Sequence, residues 1–198
     1  MNITPKEING NWDAGWALDV HTLSSVPLPD GEFRTERSQL GELLYQVKYR
    51  HDKTKIPPIA EIAAEFVKGQ ITVDEHRDLL YLEAIIPIPP STFRNFQPVI
   101  AIAAKIGEML DLPAALNYLI KVKRTPPLKN LAHDESRQEQ LKDAFDLQSQ
   151  NGNFRCVLLF DDIYRSGETL KEATHVLRDK GGVSRVLVLT LTQTRTKQ

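Results

Sequence analysis

The run Val157-Leu158-Leu159-Phe160-Asp161-Asp162-Ile163-Tyr164-Arg165-Ser166-Gly167-Glu168-Thr169 constrains the fold of this chain more than any other stretch. Four apolar residues lead into two adjacent carboxylates, a small-residue turn and the helical-looking run Leu170 to Lys180. A short apolar run that ends in a turn and a helix is the pattern of a buried parallel strand. The carboxyl end of such a strand opens on the crevice where open α/β sheets hold their ligands. The turn offers backbone N–H groups, the hydroxyls of Ser166 and Thr169, and the positive end of a helix dipole. Together these suit a phosphate. Asp161 and Asp162 would repel that phosphate, so they are expected to accept hydrogen bonds from ligand hydroxyls or to stand near a metal ion. A phosphate at one end and a diol at the other describe a sugar phosphate.

A chain of 198 residues is long enough for one domain with a substantial core. We read residues 1–198 as that single domain, with an irregular amino-terminal hood over 1–37 and an α/β core over 38–198. The net charge of −1 gives no support to a large nucleic-acid footprint, so direct nucleic-acid binding is not expected. One cysteine, Cys156, excludes an internal disulfide and a multi-cysteine zinc site, and reads as an inert core thiol of a reducing cytoplasm. No apolar run approaches the ~20 residues of a membrane span, and Met1 to Lys6 carry no signal-peptide core. The expected location is cytoplasmic.

Along the chain, Gly10 to Trp16 reads as a turn with two large anchors, and Ala17 to Thr22 as a short strand. Trp12 and Trp16 are either a stacking surface or, the favoured reading, a cover for one edge of the core. Leu40, Leu43, Leu44 and Val47 fall at helical spacing behind a capping Ser38 or Thr35, and the helix ends in the basic and aromatic cluster Lys48-Tyr49-Arg50-His51. Pro57-Pro58 opens a second helix, and Thr72 to Leu80 reads as a further short one. Ala84 to Pro90 is an apolar strand that its prolines must end near Pro87. Helix 98–110, strand 118–123, strand 155–161, helix 169–180 and strand 184–191 complete the pattern. Strands alternating with helices predict a doubly wound, mostly parallel sheet flanked by helices. The five histidines share no metal-ligand spacing on one helix and read as surface positions.

Residues 157–169 resemble the phosphoribosyl-diphosphate (PRPP) loop of type I phosphoribosyltransferases: apolar strand, acidic pair, then a Ser/Thr-Gly-x-Thr turn. Over roughly residues 38–192 the chain is similar to the ComF-like branch in particular. Leu44-Tyr45-Gln46-Val47-Lys48-Tyr49 looks like its helix ending in Lys-Tyr or Lys-Phe, and Ile85-Ile86-Pro87-Ile88-Pro89 like its proline-bearing loop. Arg94-Asn95-Phe96-Gln97 looks like its Arg/Phe/Gln segment, and Arg124-Thr125, Arg137 and Leu141 to Phe145 like the approach to the PRPP loop. The branch's cysteine-rich amino-terminal module is absent, and its Thr-Thr-Gly turn is here Arg165-Ser166-Gly167.

The resemblance implies a type I phosphoribosyltransferase fold that binds PRPP with Mg²⁺ and a small-molecule acceptor. Asp161 and Asp162 would contact the ribose 2′- and 3′-hydroxyls, with Mg²⁺ close by on the PRPP and no protein metal ligand assigned. Arg165, Ser166, Gly167, Glu168 and Thr169 would cradle the 5′-phosphate. Pro87, Ile88 and Pro89 would face the pyrophosphate. Asp161, Asp162, Lys48 and Arg94 are the candidate catalytic residues, Lys48 and Arg94 as cations for the leaving group. The leading expectation is an enzyme that transfers the phosphoribosyl group and releases pyrophosphate. The alternative is a non-catalytic PRPP-binding module of the DNA-uptake-associated, ComF-like kind, with a homo-oligomer or a DNA-processing partner left open. A receiver-like signalling domain fits less well, because there the acidic pair follows the first strand and here it precedes the last.

Overall fold

The structure, a computed structural model, describes residues 1–72, 82–91, 95–123, 141–148 and 152–195. Five strands form the main sheet in the spatial order β1 (Lys6–Glu7), β2 (Ala14–Val20), β9 (Arg185–Gln193), β8 (Cys156–Tyr164) and β5 (Ala84–Pro87). β2, β9, β8 and β5 run parallel, and only the short β1 is antiparallel to its neighbour. Among the described residues four α-helices flank the sheet: α1 (Gln39–Tyr49), α2 (Ile56–Thr72), α3 (Pro98–Leu110) and α4 (Glu168–Asp179). Two antiparallel ribbons, β3 (Thr22–Pro27) with β4 (Phe33–Arg37) and β6 (Leu119–Lys121) with β7 (Phe145–Leu147), stand apart from it.

Alternation along the central strands divides the core into two halves. Leu158 and Phe160 of β8, with Leu187, Leu189 and Leu191 of β9, pack under α1, α2 and α3. Val157 and Leu159, with Val186 and Val188, pack under Leu170, Ala173, Val176 and Leu177 of α4. Both faces of the sheet are therefore covered by helices, the doubly wound, mostly parallel architecture expected. Cys156 is buried at the start of β8, and burial pushes its thiol up, as an inert core cysteine requires.

The chain departs from expectation at its amino terminus. Residues 1–37 were expected as an irregular hood, yet β2 lies inside the main sheet beside β9, with Ala17 and Leu18 fully buried. A strand covered on both faces normally reads as a continuous apolar run. Gly15, Trp16 and Asp19 interrupt that run and disguise it. The two tryptophans are anchors rather than a stacking surface. Trp12 is buried and donates its indole N–H to the Ile8 carbonyl at 2.9 Å, and Trp16 meets Phe66 edge to face.

Other expected elements fall close to their places. Ser38 caps α1, its hydroxyl accepting from the N–H of Gly41 at 3.0 Å, and Pro57-Pro58 lie in the first turn of α2. The expected strand 118–123 is present as β6, but it pairs with β7 outside the main sheet. The expected helix within Thr72 to Leu80 and the segment Arg124 to Arg137 lie outside the described residues, Thr72 apart.

Candidate functional site

All four parallel strands finish on one edge of the sheet, and the residues beyond their ends converge there. β8 was expected to stop at Asp161, but it runs three residues further. Its ladder with β9 continues through Asp161 opposite Thr190, Ile163 opposite Thr192 and Tyr164 opposite Gln193. The acidic pair is thus part of the strand, and the pleat turns the two side chains to opposite faces.

Asp162 points to the α1 side, where its carboxylate meets the Lys48 ammonium at 2.7 Å. Burial works against that ammonium, but the Asp162 carboxylate outweighs it and holds Lys48 above the ordinary lysine value. Lys48 and Asp162, expected to serve a ligand separately, hold each other. Asp161 lies on the other face, its Oδ1 accepting from the N–H of Asp162 at 2.8 Å. Burial first, and then the Asp162 carboxylate beside it, push the Asp161 carboxyl up to about 7, while that N–H and Lys48 pull the other way. Asp161 remains only part-buried, because it forms a wall of a cleft.

That cleft, of about 180 Å³, is lined by Asp161, the turn from Arg165 to Gly167, and Glu168 and Thr169 of the first turn of α4. Gly167 precedes the helix at φ +80°, a left-handed conformation that glycine adopts without strain. It has no side chain to cap the helix, so the first-turn N–H groups receive no side-chain cap from it. The Tyr164 ring lies against Gly167, which makes it a support for the loop. Glu168 is buried and paired with Lys171 at 2.8 Å, so its carboxylate is already engaged. Arg165 is exposed, and Ser166 and Thr169 are half-buried at the cleft.

Beside β8, Pro87 ends β5, and the N–H of Ile88 donates to the Phe160 carbonyl at 2.8 Å. The Ile88 side chain turns into the core, leaving Pro89 and Pro90 half-buried on the loop. Arg94 lies outside the described residues. Lys121 of β6 approaches this loop instead, its ammonium 3.2 Å from the Ser91 hydroxyl.

Sequence reasoning missed two contributors. Lys121 is one, because the register of β6 is not readable from the chain. His21 is the other. It follows β2 and donates its backbone N–H to Gln193, and its ring Nδ1 lies 3.2 Å from the Thr192 hydroxyl. Only the placement of β2 next to β9 brings it to this edge.

An acidic pair and an uncapped helix start thus meet at the carboxyl edge of a doubly wound sheet, the edge where open α/β sheets place their ligand crevice. No family model matches the chain. It is 34% identical over 105 residues to Competence protein F of Haemophilus influenzae, a match covering 50% of this chain and 45% of that protein. The chain thus aligns with less than half the length of that curated relative. The ComF-like resemblance carried by the motifs is met by this relative. Among solved structures, orotate phosphoribosyltransferase from Aeropyrum pernix is 15% identical at a TM-score of 0.44, covering 87% of this chain and 76% of that one. Adenine phosphoribosyl transferase from Trypanosoma brucei is 11% identical at 0.45, covering 86% of each chain. The strand order, rather than these two likenesses, defines the fold.

Proposed function

We propose that this chain binds PRPP at the carboxyl edge of its sheet and transfers the phosphoribosyl group to a small-molecule acceptor, releasing pyrophosphate. The observation that supports this most is the cleft at the uncapped start of α4 with Asp161 in its wall. The 5′-phosphate takes the first-turn N–H groups and the hydroxyls of Ser166 and Thr169. Asp161 accepts from a ribose hydroxyl, and Asp162 accepts from the other while keeping Lys48 close. The loop from Pro87 to Pro89 faces the diphosphate, with Arg94 and Lys121 as its cations. Among the described residues, no three acidic, histidine or cysteine side chains converge as a metal cage. An Mg²⁺ ion would be held through the oxygens of the diphosphate and its own waters. The chemistry the ion would supply there is positive charge for the leaving diphosphate.

Calorimetric titration of the protein with PRPP and Mg²⁺ tests the reading. Saturable binding is expected, and the Asp161→Asn/Asp162→Asn double variant should lose it while retaining the wild-type circular dichroism spectrum. Equal binding by that variant would sink the proposal.

One observation favours a second reading, a module that binds PRPP without turnover. Lys48 is engaged with Asp162 instead of reaching toward the loop after β5. The name of the Haemophilus relative adds a role in competence to that alternative. Pyrophosphate release over a panel of purines, pyrimidines and amines separates the two, since reproducible release with any one of them excludes a purely binding role.

A further inference from the structure

The two outer edges of the β3–β4 ribbon differ in character. Along an antiparallel strand, backbone groups face the partner strand and the outside in alternation. Leu28 N–H donates to the Glu32 carbonyl at 2.7 Å, and Pro27, opposite Phe33, has no N–H to exchange with it. That sets the phase of β4. Arg34 and Glu36 turn their backbone groups toward β3, and Phe33 and Thr35 turn theirs outward. The edge of β3 is closed, because Pro27 offers no donor and the Leu23 carbonyl accepts from the Arg195 guanidinium at 2.7 Å. The edge of β4 is open. Among the described residues no further strand pairs with it, and its outward groups at Phe33 and Thr35 have no hydrogen-bond partner.

The side chains of this edge, Phe33-Arg34-Thr35-Glu36-Arg37, are complementary to themselves read backwards. Set antiparallel to a second β4 about a two-fold axis at Thr35, Arg34 of each copy lies directly opposite Glu36 of the other. Phe33 then lies opposite Arg37. Moving the axis by one residue sets Arg34 against Arg34 or Glu36 against Glu36, and like charges directly opposite are destabilising. Charged side chains normally keep open edges apart. Here their alternating sign permits one register and opposes its neighbours. Both side chains are exposed and, among the described residues, neither forms an ion pair; Glu36 accepts only from the Ser24 hydroxyl, at 3.2 Å. Phe33 is 64% exposed and Val26 50%, so the ribbon also carries apolar surface that its own chain leaves uncovered.

We infer that the outer edge of β4 pairs with β4 of a second copy of this chain, antiparallel about a two-fold axis through Thr35. The two Thr35 residues exchange their N–H and C=O groups across the axis. Two Arg34–Glu36 ion pairs form on one face of the joined ribbons and two Phe33–Arg37 contacts on the other. Arg37 already lies over the Tyr45 ring at 3.8 Å, so each Phe33 meets a guanidinium that α1 holds in place. Two ribbons become one four-stranded sheet, past the two-stranded form that is marginal on its own. A strand edge buries less than the ~800 Å² per partner of a stable complex, so the association is weak and depends on concentration. It does not depend on what the crevice binds.

Sedimentation velocity of the full chain tests this, over a concentration series reaching about 1 mM. Wild type should pass from monomer to dimer along the series. Arg34→Glu and Glu36→Arg each set like charges opposite one another twice per dimer, and should weaken association roughly 10–100-fold with the circular dichroism spectrum unchanged. The double variant Arg34→Glu/Glu36→Arg restores opposite signs and should associate like wild type. So should an equimolar mixture of the two single variants, neither of which pairs with itself. In wild type, amide exchange at Thr35 should slow as concentration rises, while exchange at Arg34, whose N–H faces β3, stays constant. A wild type that is monomeric throughout would overturn the inference, and so would single variants that associate as wild type does. A double variant and a mixture that both stay monomeric would overturn the register, and with it the pairing. An exchange rate at Thr35 that ignores dimer formation would place the contact elsewhere and overturn it too.

Discussion

The two sides of the carboxyl end of β8 differ more than its sequence suggests. Asp161 and Asp162 are joined by one peptide bond, yet the pleat gives them separate environments. Asp162 faces α1 and is neutralised by Lys48 at 2.7 Å. Asp161 faces the cleft before α4, among the described residues it forms no ion pair, and its carboxyl is pushed up to about 7. One carboxylate already carries a counter-charge from a helix. The other is left in reserve where a ligand can use it. An acidic pair in a sequence therefore describes two positions that must be argued one at a time.

The largest effect is expected on the α1 side. Asp162→Ala takes the carboxylate from Lys48, whose side chain is only 21% exposed. Removing one partner of a buried pair costs about 3–5 kcal/mol. Lys48→Met combined with Asp162→Leu should recover most of that, because an apolar pair needs no compensating charge. Urea melts of the three proteins measure the difference. A single-variant loss within about 1 kcal/mol would place the pair among solvated surface bridges and erase the contrast. Since the Lys48 value is raised, the pair's contribution is full below the ordinary lysine value and is lost as pH rises through the raised one.

The cleft side should respond with the opposite sign. The ordinary Asp161 value of 3.8 is raised to about 7 in the fold. Below the lower figure both folded and unfolded chains hold the proton, and the group is neutral toward stability. Between the two the unfolded chain ionises first, so stability falls as pH rises, and above the upper figure the penalty is complete. Asp161→Asn cannot ionise and should stabilise the protein by about 1–3 kcal/mol at pH 8, with no effect in strong acid. The same substitution should weaken PRPP binding. Chemical denaturation at both pH values, paired with calorimetry, reads the two effects, and a destabilising substitution at pH 8 would show that Asp161 already has a counter-charge.

What could be read from the chain divides along a physical line. Val157 to Phe160 and the turn at Gly167 are local signals, an unbroken apolar run and a residue free to take positive φ, and they gave the central strand and the cleft. The opposed facing of Asp161 and Asp162 depends on how far β8 continues. That is decided by its ladder to Thr190, Thr192 and Gln193, some thirty residues away. β2 was half-legible, because Trp16 and Asp19 break its apolar run while the pairing with β9 makes it central. His21 was not legible. Its neighbours Thr192, Lys48 and Asp162 come from three distant elements, and a lone histidine after a short strand carries no spacing to betray them.

The smallest effect tests whether the two sides are independent. Gly167 sits at φ +80°, and a Cβ there would come 2.9 Å from the Tyr164 ring. Gly167→Ala should cost about 1 kcal/mol for the left-handed backbone, with somewhat more from the ring contact. Adding Tyr164→Ala relieves the contact and leaves the backbone cost, so the double variant separates the two. The sharper measurement combines Gly167→Ala with Asp162→Ala. If the turn and the α1 ion pair act separately, the losses should add to within about 0.5 kcal/mol. Asp161 lies between them, bonded to the N–H of Asp162 on one side and lining the turn's cleft on the other. A larger departure from additivity would therefore mean that occupancy of the cleft reaches Lys48 through β8, which would make the ion pair responsive to the ligand.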